Sequence, residues 1–404
     1  VKKLYSLIAI ALLFSASAWG QSLSNPIPYF TFNKGFGVHP PDSSFSLNLR
    51  FRMQNRFGAT SISEDNLNVN EYEAIVRRLR LRFDGHVYSK NLTYVLQLSF
   101  ARGDLDYENS NFPNIIRDAM IIYRFHPKFA IGMGQTKLPG NRQRINSSGD
   151  LQFADRSNVN ATFNIDRDFG LQFYHENNLG KTAAYTWRAA ISSGDGRNIA
   201  KTDDGLAYST RLEFFPLGRF TNGGDYFESD LAREPKPKIS VAGFYLYDDR
   251  ATRSGGTLGK FLHDKRSFSN YGADFLMKYK GIALSSELVK REAKNPITVN
   301  PTKPTDVVYI YNGWGSNTEL SYLFKSNWAL AGRLTMMRPQ GAIQLNKYEV
   351  PTDFYTLGLT RYIHGHRLKV QSDLTYKNVL QQPVNPTSNQ QSHWQIRFQI
   401  ELGI

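Results

Sequence analysis

Residues 77–100 read RRLRLRFDGHVYSKNLTYVLQLSF. Leu79, Leu81, Phe83 and Val87 fall on one side of this stretch, and Arg78, Arg80, Arg82, Asp84 and His86 on the other. A side-chain period of two belongs to a β-strand. Ser89-Lys90-Asn91 interrupts the run as a tight turn. Leu92, Tyr94, Leu96, Leu98 and Phe100 then alternate with Thr93, Val95, Gln97 and Ser99. The spacing predicts a hairpin of two strands of about ten residues each, one face apolar and one polar. In water the arginine row would be a solvated face over a core. Across a membrane the apolar face meets lipid and the arginines line a lumen.

The same alternation recurs on both sides of this hairpin. Upstream it gives a strand over 45–57, with Phe45, Leu47, Leu49, Phe51 and Met53 against Arg50, Arg52 and Gln54. Downstream it predicts strands over 116–125, 129–136, 168–176, 184–192, 206–215, 239–248, 270–279, 282–291, 314–324, 328–338, 354–363, 367–376 and 393–402. Short turns such as Lys280-Gly281 and His364-Gly365-His366 alternate with long polar loops. An even total of about sixteen strands with alternating loop lengths predicts an all-β fold, a closed antiparallel transmembrane β-barrel with short periplasmic turns and long extracellular loops. In hydrocarbon an unpaired backbone amide is costly, so the sheet must close, and the last strand is expected to pair with the first. A soluble sandwich would have shorter strands, and a propeller would repeat a blade motif every 40–50 residues. One connection breaks the rule: 216–237 is long where a short periplasmic turn is expected.

Composition agrees. Hydrophobic residues make up 41% of the 404, and past residue 20 no apolar run is long enough for a spanning helix. Aromatics reach 13%, which suits interfacial girdles. The absence of cysteine excludes disulfides, thiolate catalysis and cysteine-based zinc sites. A formal charge of +14 implies attraction to anions. The bases are dispersed along strands with no nucleic-acid-binding motif, so nucleic acid is not the expected partner. Residues 1–20 carry Lys2 and Lys3, an apolar run from Leu4 to Phe14, and Ala18-Trp19-Gly20, the pattern of a signal peptide. The expected organisation is therefore a signal peptide (1–20), an N-terminal periplasmic segment (21–44) and a barrel (45–404). With only 21–44 ahead of the first strand, no plug domain is expected.

Three stretches carry a family resemblance: RRLRLRFDGHVY (77–88), DAMIIYRFHPKFAIGMGQTKLPGNRQRINSSGDLQFADRS (118–157) and FNIDRDFGLQF (163–173). They resemble the phosphate-selective porin O and P family, in the style of its Bacteroidetes members. The resemblance implies a sixteen-stranded channel in the bacterial outer membrane, commonly a homotrimer, embedded in outer-membrane lipid. It also implies that the third loop, here about 138–166, folds inward and narrows the pore.

Strand parity supplies the lumen chemistry. If Leu79, Leu81 and Phe83 face lipid, Arg78, Arg80 and Arg82 form an inward row. Arg50, Arg52, Arg124, Arg188, Arg211, Lys278, Arg333, Lys369 and Arg397 are expected to join them. The third loop and its flanks add Lys137, Arg142, Arg144, Arg156 and Arg167. Guanidinium groups hold their charge at any relevant pH and grip phosphate oxygens in pairs. The expected pore-lining, anion-guiding set is Arg78, Arg80, Arg82, Arg124, Lys137, Arg142, Arg144, Arg156 and Arg167, with Arg142 and Arg144 at the constriction. Asp84, Asp118, Glu213, Asp274, Glu287, Glu319, Asp373 and Glu401 should also face inward. The competing reading is that the arginines pair with these acids, and those of the loop with Asp150, Asp155, Asp166 and Asp168, to stiffen the wall and pin the loop.

An enzyme needs a nucleophile–base pair on the wall or rim, and no such motif stands out. His364 and His366 share a turn without a telling serine partner. No catalytic residue, cofactor or metal is expected. The function expected is passive diffusion of small hydrophilic solutes, favouring anions such as phosphate. The alternative is a non-channel outer-membrane barrel serving surface binding or a secretion assembly.

Overall fold

The computed structural model describes residues 29–32, 35–105, 114–199, 205–381 and 391–404. The signal-peptide reading lies outside them.

Alternating apolar and polar residues produce long antiparallel strands. Two short ones come first, β1 (Tyr29–Thr31) and β2 (Phe36–His39). The first half of the barrel is β3 (Phe45–Ser61), β4 (Val69–Val87), β5 (Ser89–Ser99), β6 (Ile116–His126), β7 (Phe129–Lys137), β8 (Arg167–Leu179), β9 (Ala183–Ser192) and β10 (Ala207–Phe215). The second half begins with β11 (Lys238–Arg253), β12 (Phe261–Tyr279) and β13 (Ile282–Ala293). A separate hairpin, β14 (Ile297–Asn300) and β15 (Lys303–Tyr309), follows in a loop. The barrel then resumes with β16 (Gly313–Leu323), β17 (Trp328–Pro339), β18 (Thr352–His364), β19 (Leu368–Val379) and β20 (His393–Gly403).

Each barrel strand pairs with its neighbour in sequence, β13 pairing with β16 across the loop hairpin. The last strand returns to the first: Gln395 lies opposite Thr60 and Gly403 opposite Arg52. Among the described residues, β3–β13 and β16–β20 thus close a sixteen-stranded antiparallel barrel. Closure gives each of the sixteen strands a neighbour on both edges, as a spanning sheet requires. Outward positions such as Ile121, Tyr123, Phe125, Trp187, Leu320, Leu357 and Ile396 are exposed, as a lipid-facing band must be.

Below its pairing with β20, β3 has a free edge at Leu47–Leu49. There β2 adds as an extra strand, with Val38 opposite Leu47 and Phe36 opposite Leu49, and β1 adds to β2. A bare edge is thereby paired at the short-turn end of the barrel.

Several strands outrun the sequence reading. The turn after β4 is tighter than expected, with Tyr88 alone between strands at φ 59°. β4 begins at Val69, while β11 and β12 extend through a stretch read as loop. These extensions lie toward the long-loop end, where both faces of a strand are wet. Alternation fades there although the ladder continues.

The interior is not uniformly wet. Phe163, Val159, Phe244, Phe268, Val289, Ile310, Tyr311 and Met337 form a buried apolar cluster against β11–β13, β16 and β17. Residues 138–166 fold into the bore and supply part of it. They contain two short helices, α1 (Arg142–Ile145) and α2 (Asn158–Phe163), the second capped by the Ser157 hydroxyl accepting from Asn160 N at 3.2 Å. Two wall glycines make room for the loop. A β-carbon on Gly315 would sit 2.8 Å from both Phe163 and Val159, and one on Gly358 would sit 2.7 Å from the Phe153 ring.

The long 216–237 connection also enters the bore. Lys278 Nζ on β12 donates to the carbonyls of Gly224, Phe227 and Ser229 at 2.7, 2.7 and 2.8 Å. Gly281 N donates to Asp230 at 2.8 Å. The segment meets the inward loop where Glu228 N donates to Asp150 O at 3.0 Å. It is an inward insert at the end where the other connections are short turns.

Candidate functional site

The inward loop touches both sides of the bore. On the β10–β20 side, the loop and wall residues give the inward acids Glu213, Asp274, Glu287, Glu319 and Asp373 partners. Arg142 donates to Glu213 at 2.5 Å, to Asp274 at 2.7 Å, to Ser240 at 2.8 Å and to the Asp225 carbonyl at 3.0 Å. Arg211 reaches Asp274 at 2.6 Å and Glu213 at 3.4 Å. Two arginines thus answer two carboxylates. Asn141 Nδ2 donates to Glu287 at 3.2 Å, and Gln143 Nε2 to Glu319 at 2.5 Å. Gln152 Nε2 adds a bond to Glu319 at 2.8 Å, and Arg333 pairs with it at 2.8 Å. Farther round, Ala154 N donates to Asp373 at 2.9 Å, and Arg397 pairs with the same carboxylate at 2.8 Å. Lys369, fully buried, donates to Gly149 O and Leu151 O at 2.8 and 2.7 Å. Arg142, Arg211, Arg333, Lys369 and Arg397 thus each serve an acid or a loop carbonyl, while Arg291 lies over the Phe163 and Phe268 rings.

Burial pushes Glu228 of the insert up to about 8, with Glu319 beside it adding to the effect. It accepts from Gln152 N at 2.9 Å. The shift favours the protonated, uncharged form of Glu228 beside Glu319.

The opposite side has the reverse proportion. There, single carboxylates are shared among several arginines. Asp84 takes both Arg50 and Arg82. Asp104, from a short helical turn after β5, takes Arg80 at 2.5 Å and Arg117 at 2.9 Å. Asp166 takes Arg144 and, at 3.4 Å, Arg167, which also holds Asp118 at 3.0 Å. Asp155 takes Arg56 at 2.9 Å, Arg77 at 2.9 Å and Arg78 at 3.0 Å. Burial alone would raise Asp155, but Arg78, Arg77 and Arg56 hold its carboxyl well below the usual range.

Between the two sides lies a cavity of about 930 Å³. Its lining holds eleven arginines and lysines against three acids, Asp118, Asp150 and Glu401. Of the sequence-expected set, Arg80, Arg82, Lys137, Arg144, Arg156 and Arg167 line it. Lys137 Nζ also donates to Ile145 O and Asn146 O at 3.0 and 2.8 Å, and Arg156 to Gln143 O at 2.6 Å.

Three residues of that set stand elsewhere. Arg142 is 1% exposed and pinned to the acidic wall, which corrects its placement at a constriction. Arg78 is buried between Gln54, at 2.7 Å, and Asp155, so it stiffens the wall rather than facing solute. Arg124 sits at the short-turn rim, 3.5 Å from Glu176, beside a separate cavity of about 200 Å³. Other expected lumen bases, Arg211, Lys278, Arg333 and Lys369, are buried as anchors for the loop and the insert.

Parity did not find every inward base. Arg77 and Arg117 occupy β-bulges, seen as register shifts between Gln54 and Asn55 and between Gln97 and Leu98. A bulge adds one residue and turns an outward side chain inward. Tyr226, Phe227 and Leu231 reach the cavity from the insert, and no strand pattern announces them.

A closed sixteen-stranded barrel with an inward loop and a charged lumen has the architecture of an outer-membrane porin. Residues 47–237 match the sequence model of the family described as phosphate-selective porin O and P. An uncharacterized protein of Aquifex aeolicus is 27% identical over 256 residues, 53% of this chain; the match spans 60% of that relative's length. Solved structures share the fold. The outer-membrane channel DcaP of Acinetobacter baumannii matches with a TM-score of 0.54 at 10% identity, over 92% of this chain and 99% of its own. The trimer form of OmpT from Vibrio cholerae gives 0.52 at 10%, over 89% and 100%. An anion-selective porin from Comamonas acidovorans gives 0.51 at 11%, over 89% and 100%. The family match and the shared fold are those of an outer-membrane barrel.

Proposed function

We propose that the protein is a passive channel for small hydrophilic solutes that favours anions such as phosphate. The observation that carries this reading is the lining of the central cavity, with eleven bases to three acids. Loop residues partner Glu213, Asp274, Glu287 and Glu319 on one wall, while Arg50, Arg82, Arg117 and Arg188 of the other line the cavity. Rows of fixed guanidinium groups lower the entry barrier for anions and raise it for cations. The chemistry of such a lumen is attraction and release, not bond making.

The family description and the neighbouring anion-selective porin support anion preference, and the trimer form of OmpT supports a homotrimer. The test is conductance of the purified protein in planar bilayers under a potassium chloride gradient. Step-like ohmic current with a reversal potential on the chloride side is expected. A closed barrel without conductance would favour the binding or assembly role instead.

A further inference from the structure

The bore is basic on one side and aromatic at one end. Tyr226, Phe227 and Leu231 are half-buried residues of the 216–237 insert, and all three line the central cavity. Phe227 stands 5.4 Å, ring to ring, from His366, which lies in the turn after β18. Burial, then Lys369 and Lys278, hold His366 well below its ordinary range, so this ring pair is neutral. The Arg188 guanidinium lies 5.5 Å from the centre of the Tyr226 ring and donates to its hydroxyl. Apolar carbon of the inward loop, from Leu138, Pro139 and Ile145, faces the same cavity.

Inorganic phosphate has no use for an apolar shelf, because a hydrated monoanion or dianion gains nothing from carbon surface. An organic anion does: its charged head pairs with arginine while its ring shields aromatic surface from water. Insert and basic wall come from different parts of the chain, yet they meet across one cavity. The insert is held there by three bonds from a buried lysine, so the shelf is fixed before any solute arrives.

We infer that the cavity is a binding site for organic anions with a planar apolar part, such as aryl phosphates or aromatic carboxylates, with the head on the arginine wall and the ring on Phe227 and Tyr226. This rests on the anion-favouring reading above and narrows it.

Phenyl phosphate and inorganic phosphate test the inference, since they share a head and differ by one ring. The full-length protein is held in a planar bilayer in potassium chloride, and each probe is titrated against the chloride current. The readout is the ratio of the two half-blocking concentrations. Phenyl phosphate is expected to block at about tenfold lower concentration, the worth of a partly shielded ring. Phe227→Ala should bring the ratio to near one, and Phe227→Leu should leave it between. Equal half-blocking concentrations in the unmodified protein would overturn the inference while leaving the anion channel standing. A ratio unchanged in both Phe227 variants would overturn it as well. A channel that conducts without anion preference and is blocked by neither probe would remove the underlying reading too.

Discussion

The two sides of the bore are made of the same residue types and end in opposite states. On the β10–β20 side, Arg142 and Arg211 answer Glu213 and Asp274 one for one, and loop amides satisfy Glu287 and Glu319. On the β3–β9 side, Asp84 and Asp104 each take two arginines and Asp155 takes three. A count of inward strand charges, twelve bases against eight acids, gives only a modest positive excess. What sets its field is where a backbone segment lands. Covering a carboxylate with a neutralising partner removes it from the solute's view, while sharing one carboxylate among several arginines leaves positive charge over.

The contrast is broken most severely at Arg142. Replacing it with alanine leaves Glu213 and Asp274 buried with one guanidinium between them. Loss of one partner from a buried network costs about 3–5 kcal/mol. The inward loop should lift, measured as faster proteolysis within 138–166, and the uncovered acids should pull the reversal potential toward zero. A milder break is Gly358→Val. The new side chain meets the Phe153 ring and should cost about 1–3 kcal/mol by overpacking, seen as a lower unfolding temperature in detergent. The loop seam also titrates. Glu228 is raised to about 8, so its contribution is full at low pH, below the ordinary glutamate range, and is lost as pH rises through about 8. The thermal midpoint should therefore fall between pH 5 and pH 9, and Glu228→Gln should flatten that slope. The smallest structural effect belongs to Arg82→Ala. Asp84 keeps Arg50, and Arg82 is partly exposed, so stability should move by at most about 0.5 kcal/mol. Anion preference should nevertheless weaken, and an unchanged reversal potential would show that the shared-carboxylate wall does not set selectivity.

Much of the barrel was legible in the sequence because lipid and water enforce a strict period of two. Where Leu79, Leu81 and Phe83 alternate with arginine, only one register satisfies both solvents. Legibility stopped where that constraint stopped. Above the membrane, His263 to Ser267 of β12 can be polar on both faces and still pair. Arg77 and Arg117 are the extra residues of two bulges, and their own side chains turn inward. The insert at 216–237 reads as an overlong turn, since its anchor is Lys278, a residue dozens of positions away that parity marks only as a lumen base. Arg142 was placed at a constriction because a loop arginine near acids has two outcomes, and only the pairing geometry distinguishes them.

The central claim is that one wall of this lumen presents positive charge and the other is neutralised. Anomalous diffraction from crystals soaked in bromide, and separately in rubidium, tests it most directly. The account predicts bromide along Arg50, Arg82, Arg144 and Arg188, with no rubidium at Glu213, Asp274, Glu287 or Glu319. Rubidium bound among those four carboxylates, or bromide spread evenly around the bore, would contradict it.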